Sequence, residues 1–246
     1  MPRSTRGCRS TRGLSPRALP APIRLIPAPP TPPGPPHHPG LLKLIEAKRE
    51  WHWRPTPDEL RRGFRGWHER GYLPHFDAPH VTQLVTFMLD DSFPVTRRAE
   101  WKPFLKEPDH SLRRRKLEAW LDRGHGECWL GRPAIADAVL AVLRASDGTN
   151  SQLRAWVVMP NHVHLVVDVQ DEPLAKLMHI WKGKSARAAN ELLGRTGRFW
   201  QPDYFDTLIR NDAHLRQATR YVEANPVKAG LTKEAAAWSW SSACPA

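Results

Sequence analysis

One stretch constrains this chain more than any other: Trp156-Val157-Val158-Met159-Pro160-Asn161-His162-Val163-His164-Leu165-Val166-Val167. It reads as two apolar strands joined by a Pro-Asn turn, with two histidines opening the second strand. Side chains on a strand alternate faces, so His162 and His164 point to one side and Val163 and Leu165 to the other. The two imidazoles then lie about 7 Å apart along the strand, near enough to converge on one ion. Neutral imidazole is a common ligand of divalent metals. A His-x-His pair is also frequent by chance, so spacing alone leaves both a metal site and a pair of ordinary strand histidines open.

The 246 residues suffice for one domain with extensions or for two small ones, and 40% hydrophobic content supports a core. A formal charge of +12 points to a polyanionic partner, nucleic acid or a membrane surface. Much of that charge is local. Residues 1–40 hold twelve prolines, six arginines and no acidic residue. With Lys43 the first 45 residues carry seven positive charges, which leaves +5 of the +12 for the remainder. Such a segment buries too little apolar surface to offset its ordering entropy, so 1–45 reads as a disordered Pro/Arg-rich tail. It lacks the apolar core of a secretory signal, although its Arg-rich, acid-free character superficially resembles a transit peptide. No apolar run approaches 18 residues, so no membrane span is expected. Cys8, Cys128 and Cys244 are scattered and odd in number, which fits a reducing cytoplasm rather than a disulfide framework or zinc finger.

Residues 46–80 form an aromatic and basic extension in which a short helix is expected around Asp58–Arg70. Its aromatics and arginines suit base stacking, and equally suit pinning a loop to a core. Val81–Leu89 alternates and is rich in strand formers. Residues 95–131 read as a charged helical insertion; its run Arg113-Arg114-Arg115-Lys116 fits either phosphate contact or a solvated helix face. Pro133 opens a helix to about Ser146, and the hairpin follows as Gln152–Met159 and His162–Val169. Pro173–Leu193 is helical, with Leu174, Leu177, Met178 and Trp181 at core spacing. Tyr204–Ile209 reads as a strand with Tyr204 packed. Asn211-Asp212 caps a last helix, His214–Asn225, stopped by Pro226. Strand, helix, strand, strand, helix, strand is the βαββαβ order of an α+β, ferredoxin-like four-stranded antiparallel sheet with packed helices. It would occupy residues 81–246.

Three tyrosines exist, Tyr72, Tyr204 and Tyr221. Tyr221 lies beside the stripe Leu215, Ala218 and Val222 of the last helix, with Asn225 one turn on. If that helix covers the histidine face, two imidazoles, a carboxamide and a phenol meet. Taken alone, Tyr221 reads as an amphipathic rim residue.

Met159-Pro160-Asn161-His162-Val163-His164-Leu165 resembles the His-hydrophobe-His motif of single-tyrosine (HUH) nucleases. Phe199-Trp200-Gln201-Pro202-Asp203-Tyr204-Phe205-Asp206 and Tyr221-Val222-Glu223-Ala224-Asn225-Pro226-Val227-Lys228-Ala229-Gly230-Leu231 resemble the IS200/IS605-like transposases, in the branch of REP-associated tyrosine transposases. The likeness runs from about Val81 to Ala243, and the first 40 residues fall outside it. It implies that His162, His164 and Asn225 ligate Mg²⁺ or Mn²⁺ and that Tyr221 is the nucleophile. Attack would give a 5′-phosphotyrosine and a free 3′-OH on single-stranded or hairpin DNA. Lys182, Lys184, Arg198, Arg210 and the Trp238-Ser239-Trp240 segment are the candidate DNA contacts, the tryptophans serving equally to pin the tail. The protein would be a monomer or homodimer in the bacterial cytoplasm, associated with the nucleoid. A domesticated, non-catalytic hairpin binder is the rival. A zinc hydrolase is a third reading, needing another strong ligand, for which Glu223 and His214 are near.

Overall fold

The computed structural model describes residues 54–70, 73–107 and 109–245. The tail expected at 1–45 and the start of the aromatic extension lie outside the described residues. The first helix, α1 (Pro57–Arg62), begins at a capping box in which Thr56 accepts from the Glu59 N–H and Glu59 accepts from the Thr56 N–H. It is shorter than the helix expected over 58–70. Gly63 takes φ 100°, a left-handed cap that a β-carbon disfavours, and ends it. The chain then forms an antiparallel hairpin of β1 (Gly66–Arg70) and β2 (Leu73–Asp77), pairing Trp67 with Phe76 and His68 with His75.

Next come β3 (Val81–Met88), then the helices α2 (Arg98–Leu105) and α3 (His110–Leu121) of the charged insertion. Pro133 takes the first turn of α4 (Pro133–Arg144), which leads into β4 (Ser151–Val158) and β5 (His162–Val169). After α5 (Leu174–Leu192), β6 (Phe205–Leu208) begins one residue beyond the buried Tyr204. The last helix, α6 (Asp212–Lys228), starts at Asn211, whose side chain accepts from the His214 N–H.

The four main strands line up as β4-β5-β3-β6, each neighbour antiparallel. That is the expected ferredoxin-like arrangement, with both crossover helices, α4 and α5, on one face. Val163, Leu165, Val167 and Val169 point into that face with Val139, Leu143, Met178 and Trp181. Each such side chain fully buried stabilises the fold by about 1.5–3 kcal/mol relative to exposure. The other face, which carries Leu84, Val157 and Val166, is covered by Ala218 and Val222 of α6. At the Met88 end the same face is closed by Phe104, Leu117, Trp120 and Leu121 of the insertion.

The last helix departs from expectation at its end. It continues through Pro226 to Lys228, so Asn225 is an interior helical residue. Proline here forfeits a single backbone bond near the terminus, and Ala229 N–H to Asn225 O (2.9 Å) and Leu231 N–H to Pro226 O (2.9 Å) close the end beyond it. The C-terminal segment lies along the β4 edge. Val158 N–H donates to Trp240 O and Ser242 N–H to Trp156 O, both at 2.9 Å. The indole N–H of Trp238 donates to Val158 O (2.9 Å) and that of Trp240 to Asp137 (2.8 Å), so both tryptophans fasten the tail and cover an exposed edge. Among the described residues no helix is long and apolar enough to cross a membrane.

Candidate active site

Strand parity decides which face receives the histidines. Val163, Leu165 and Val167 belong to the α4/α5 core, so His162, His164 and Val166 face α6. Both histidines are about 1% exposed. Register then supplies their supports. Thr86 lies opposite His164 on β3, and its hydroxyl meets His164 Nδ1 at 2.7 Å. Asn161 Oδ1 meets His162 Nδ1 at 2.8 Å, and its Nδ2 donates to Leu121 O at 3.1 Å. An amide oxygen can only accept, so His162 carries its proton on Nδ1 and leaves Nε2 as a lone pair. The Nε2 atoms of His162 and His164 face each other at 3.0 Å.

Both rings are held neutral. Burial, and then Lys228, push the His162 pKa down to about 3. Burial, followed by the His162, Arg114 and Lys228 charges, holds His164 well below its ordinary value. Two neutral imidazoles with converging Nε2 atoms, each fixed from behind through Nδ1, are what a divalent ion requires of histidine ligands.

The closing helix completes the group. Tyr221 Oη stands 3.3 Å from His164 Nε2, with the rings edge-to-face at 5.2 Å. One turn on, Asn225 is 1% exposed, and both its amide oxygen and nitrogen lack a hydrogen-bond partner among the described residues. A buried amide with neither end satisfied costs free energy unless something binds it. The Asn225 amide is therefore open to a ligand, one helical turn from Tyr221.

The insertion also reaches this site, which sequence reasoning missed. Arg114, Glu118 and Asp122 recur at helical spacing and face α6. The Arg114 guanidinium lies 5.0 Å from the Tyr221 ring centroid, and Lys228 Nζ lies 6.0 Å from it. Lys228 pairs with Asp122 at 3.1 Å and approaches Glu118 at 3.9 Å, while Arg114 Nε donates to Glu118 at 2.9 Å. Burial, with the Glu118 carboxylate, raises the Tyr221 pKa well above 10, against the opposing pull of Arg114. The i,i+4 charge pattern was visible in the sequence; which helix it would face was not. Thr86 was equally hidden, because register alone brings it to His164.

The residues nominated for DNA contact have different surroundings. Lys182 donates to the carbonyls of Gln201 (2.6 Å) and Pro202 (2.8 Å), clamping the loop before β6. Arg198 lies 3.5 Å from Asp90, and Lys184 and Arg210 are exposed. The extra ligand that a zinc hydrolase needs is not supplied by the two nearby residues: Glu223 accepts from Ser242 (2.9 Å) and His214 Nδ1 faces the Arg210 N–H (3.4 Å). Among the described residues no three His, Cys, Asp or Glu side chains form a metal-holding group.

A second buried histidine sits across the sheet edge. His75 of β2 meets Asp206 of β6 through Nδ1 and Asp203 through Nε2, the latter at 3.1 Å. Asp206 also accepts from the Phe76 N–H (3.1 Å) and from Gln83 Nε2 (3.2 Å). Burial alone would lower the pKa of His75, but the bonds and charges of Asp203 and Asp206 outweigh it and raise it to about 9.

Comparison with known proteins follows the same line. Residues 135–225 match the family described as "Transposase IS200 like". That segment contains both histidines, Tyr221 and Asn225. Over 103 residues the chain is 26% identical to the "REP-associated tyrosine transposase" of Escherichia coli (strain K12), a match covering 41% of this chain and 59% of that protein. Among solved structures, a REP-associated tyrosine transposase bound to a REP hairpin aligns with a TM-score of 0.41 at 19% identity, covering 71% of this chain and 80% of the other. A putative transposase from Deinococcus radiodurans r1 aligns with a TM-score of 0.33 at 17% identity, covering 64% and 96%. By its matched segment and by its motifs, the chain resembles the IS200-like transposases, and within them the REP-associated tyrosine transposases.

Proposed function

We propose that this protein is a metal-dependent nickase and strand transferase that acts on single-stranded DNA at hairpins through a 5′-phosphotyrosine at Tyr221. The observation that carries the reading is the meeting of Tyr221 Oη with His164 Nε2 at 3.3 Å, beside the His162–His164 pair at 3.0 Å. A mere hairpin-binding surface needs neither a phenol nor two neutral imidazoles in one buried group. The likeness to a REP-associated tyrosine transposase supports DNA as the substrate class.

His162, His164 and Asn225 would hold Mg²⁺ or Mn²⁺, which would polarise the scissile phosphate. Thr86 and Asn161 orient the imidazoles from behind. The α6 helix carries Tyr221 and Asn225 on one face and so fixes nucleophile and ligand relative to each other. The phenol holds its proton at neutral pH, so attack requires that proton to leave as Oη bonds to phosphorus. The bond from phosphorus to the 3′ oxygen breaks, and that oxygen departs as a hydroxyl after taking a proton from water. The phosphotyrosine retains the ester bond, so another 3′-OH can reverse the step and join strands without a nucleotide cofactor. The meeting of His162, His164 and Tyr221 within one chain supports a monomer as sufficient for one cleavage site. The protein would work in the bacterial cytoplasm in association with the nucleoid.

The experiment is incubation with a labelled hairpin oligonucleotide bearing a single-stranded flank, with Mn²⁺ and with EDTA. A covalent adduct that needs metal and disappears in Tyr221→Phe is expected. Hairpin binding without any adduct would identify a non-catalytic binder instead.

A further inference from the structure

The insertion of α2 and α3 lies outside the matched segment 135–225, yet α3 is the element that packs against the nucleophile. Its basic run divides between two directions. Arg113 Nε donates to Glu107 O (2.9 Å) and Lys116 pairs with the Glu107 carboxylate (2.8 Å), both away from the site. Arg114 turns instead to α6, with its guanidinium 5.0 Å from the Tyr221 ring centroid. Lys228, two turns beyond Tyr221 on α6, places Nζ 6.0 Å from the same centroid. Glu118 lies between the two cations, 2.9 Å from Arg114 Nε and 3.9 Å from Lys228 Nζ. Asp122 holds Lys228 from the other side at 3.1 Å.

Two cations and two carboxylates therefore surround the ring of the proposed nucleophile in a group whose formal charges cancel. Cations held by fixed carboxylates are pre-oriented, so little reorganisation is needed when negative charge appears next to them. Guanidinium also suits a phosphoryl oxygen, because its planar fork of donors matches that geometry.

We propose that Arg114 and Lys228 are positioning residues for strand cleavage, a two-sided cationic clamp that aims the Tyr221 phenol and offsets the negative charge shared by Oη and the transferred phosphoryl group. This rests on Tyr221 being the nucleophile, as proposed above. In the step they serve, the Oη–P bond forms, the P–O3′ bond breaks, the phenolic proton passes to solvent and the 3′ oxygen receives one from water. No oxidant or reductant takes part. In the reverse step the phenolic oxygen is the leaving group, so the same clamp assists rejoining.

The test is single-turnover adduct formation at saturating hairpin DNA with Mn²⁺, alongside the DNA Kd and its salt dependence. Arg114→Met keeps the aliphatic stem and removes the charge; Arg114→Lys keeps a charge. The clamp predicts that Arg114→Met slows adduct formation by about 10- to 100-fold, with Kd changed less than about threefold and Arg114→Lys recovering most of the rate. Lys228→Met, on the other helix, should slow the same step independently. A packing role would leave Met and Lys equivalent at position 114 and so overturn the proposal. A loss confined to Kd, with a salt slope lowered by about one, would overturn it too, by making Arg114 an ordinary backbone contact. Rates within about threefold of the parent in both Met variants have the same consequence. If the parent forms no Tyr221 adduct, the functional reading fails first and the clamp with it, a result distinct from a parent adduct indifferent to Arg114.

Discussion

Two buried histidine sites in this protein are built from the same residue type and have opposite character. His75 is bracketed by Asp203 and Asp206 and holds its proton, with its pKa raised to about 9. His162, whose buried neighbours are Asn161 and His164 and which feels the charge of Lys228, gives its proton up, with its pKa pushed down to about 3. The difference lies in the supporting oxygens. Carboxylates demand a cation and make His75 a charged tie between the β1–β2 hairpin and β6. The neutral oxygens of Asn161 and Thr86 hold the Nδ1 atoms of the other pair without charging it, and turn its Nε2 atoms toward each other and Tyr221. One site spends its polarity on the fold, the other keeps it available for chemistry.

That contrast can be broken at either end. The largest effect is expected from His164→Ala, which should abolish metal-dependent adduct formation, a loss worth several kcal/mol of transition-state stabilisation, while hairpin binding persists. Adduct yield by gel shift measures it, and retained yield would remove His164 from the ligand set. Asp206→Ala should instead cost about 3–5 kcal/mol of stability, the penalty for stranding a buried charge. Its metal affinity should be unchanged, as read by denaturant midpoint and Mn²⁺ titration on the same sample.

The pH response separates the sites by sign. The folded state binds the His75 proton more tightly than the unfolded chain does, so this contribution is complete below pH about 6.5 and is lost as pH rises through about 9. The difference between those values corresponds to about 3 kcal/mol. For His162 the folded state binds the proton less tightly, so its contribution is present above pH about 6.5 and is lost as pH falls toward about 3. Histidine NMR titration should show the His75 ring protonated beyond pH 8 and the His162 ring still neutral at pH 5; those two rings titrating together near 6.5 would contradict the contrast. The smallest effect is expected from Thr86→Val, which keeps shape and removes the support behind His164. It should weaken metal binding by about 10- to 100-fold, with stability little altered.

How much of this was legible before the structure follows from what each feature depends on. The order of strands and helices and the shared face of His162 and His164 rest on strand alternation, helix periodicity and chain order, whereas the approach of Tyr221 hung on α6 covering that face. Strand β1 fell within the helix expected around Asp58–Arg70, and β2 lay beyond it, because no apolar alternation follows Gly63; the pairing of Trp67 with Phe76 and His68 with His75 becomes visible only across the turn. Lys182 looked like a DNA contact from its position on the exposed side of α5, yet loop carbonyls of residues 201 and 202 accept its protons. Thr86 and Arg114 depend on register and on helix docking, which nothing at positions 86 or 114 announces. The helix end at Asn225 was misjudged because proline usually stops a helix, whereas here it sits close enough to the terminus to forfeit only one bond.

We propose Tyr221 as a nucleophile served by a metal held on His162 and His164. Mass spectrometry of the protein after reaction with a flanked hairpin oligonucleotide and Mn²⁺ tests it most directly. A protein–DNA adduct is expected whose only modified peptide carries a 5′-phosphoryl nucleotide on Tyr221, absent with EDTA and absent in Tyr221→Phe. An adduct on another residue, or cleavage of the DNA that continues undiminished in Tyr221→Phe, would contradict it.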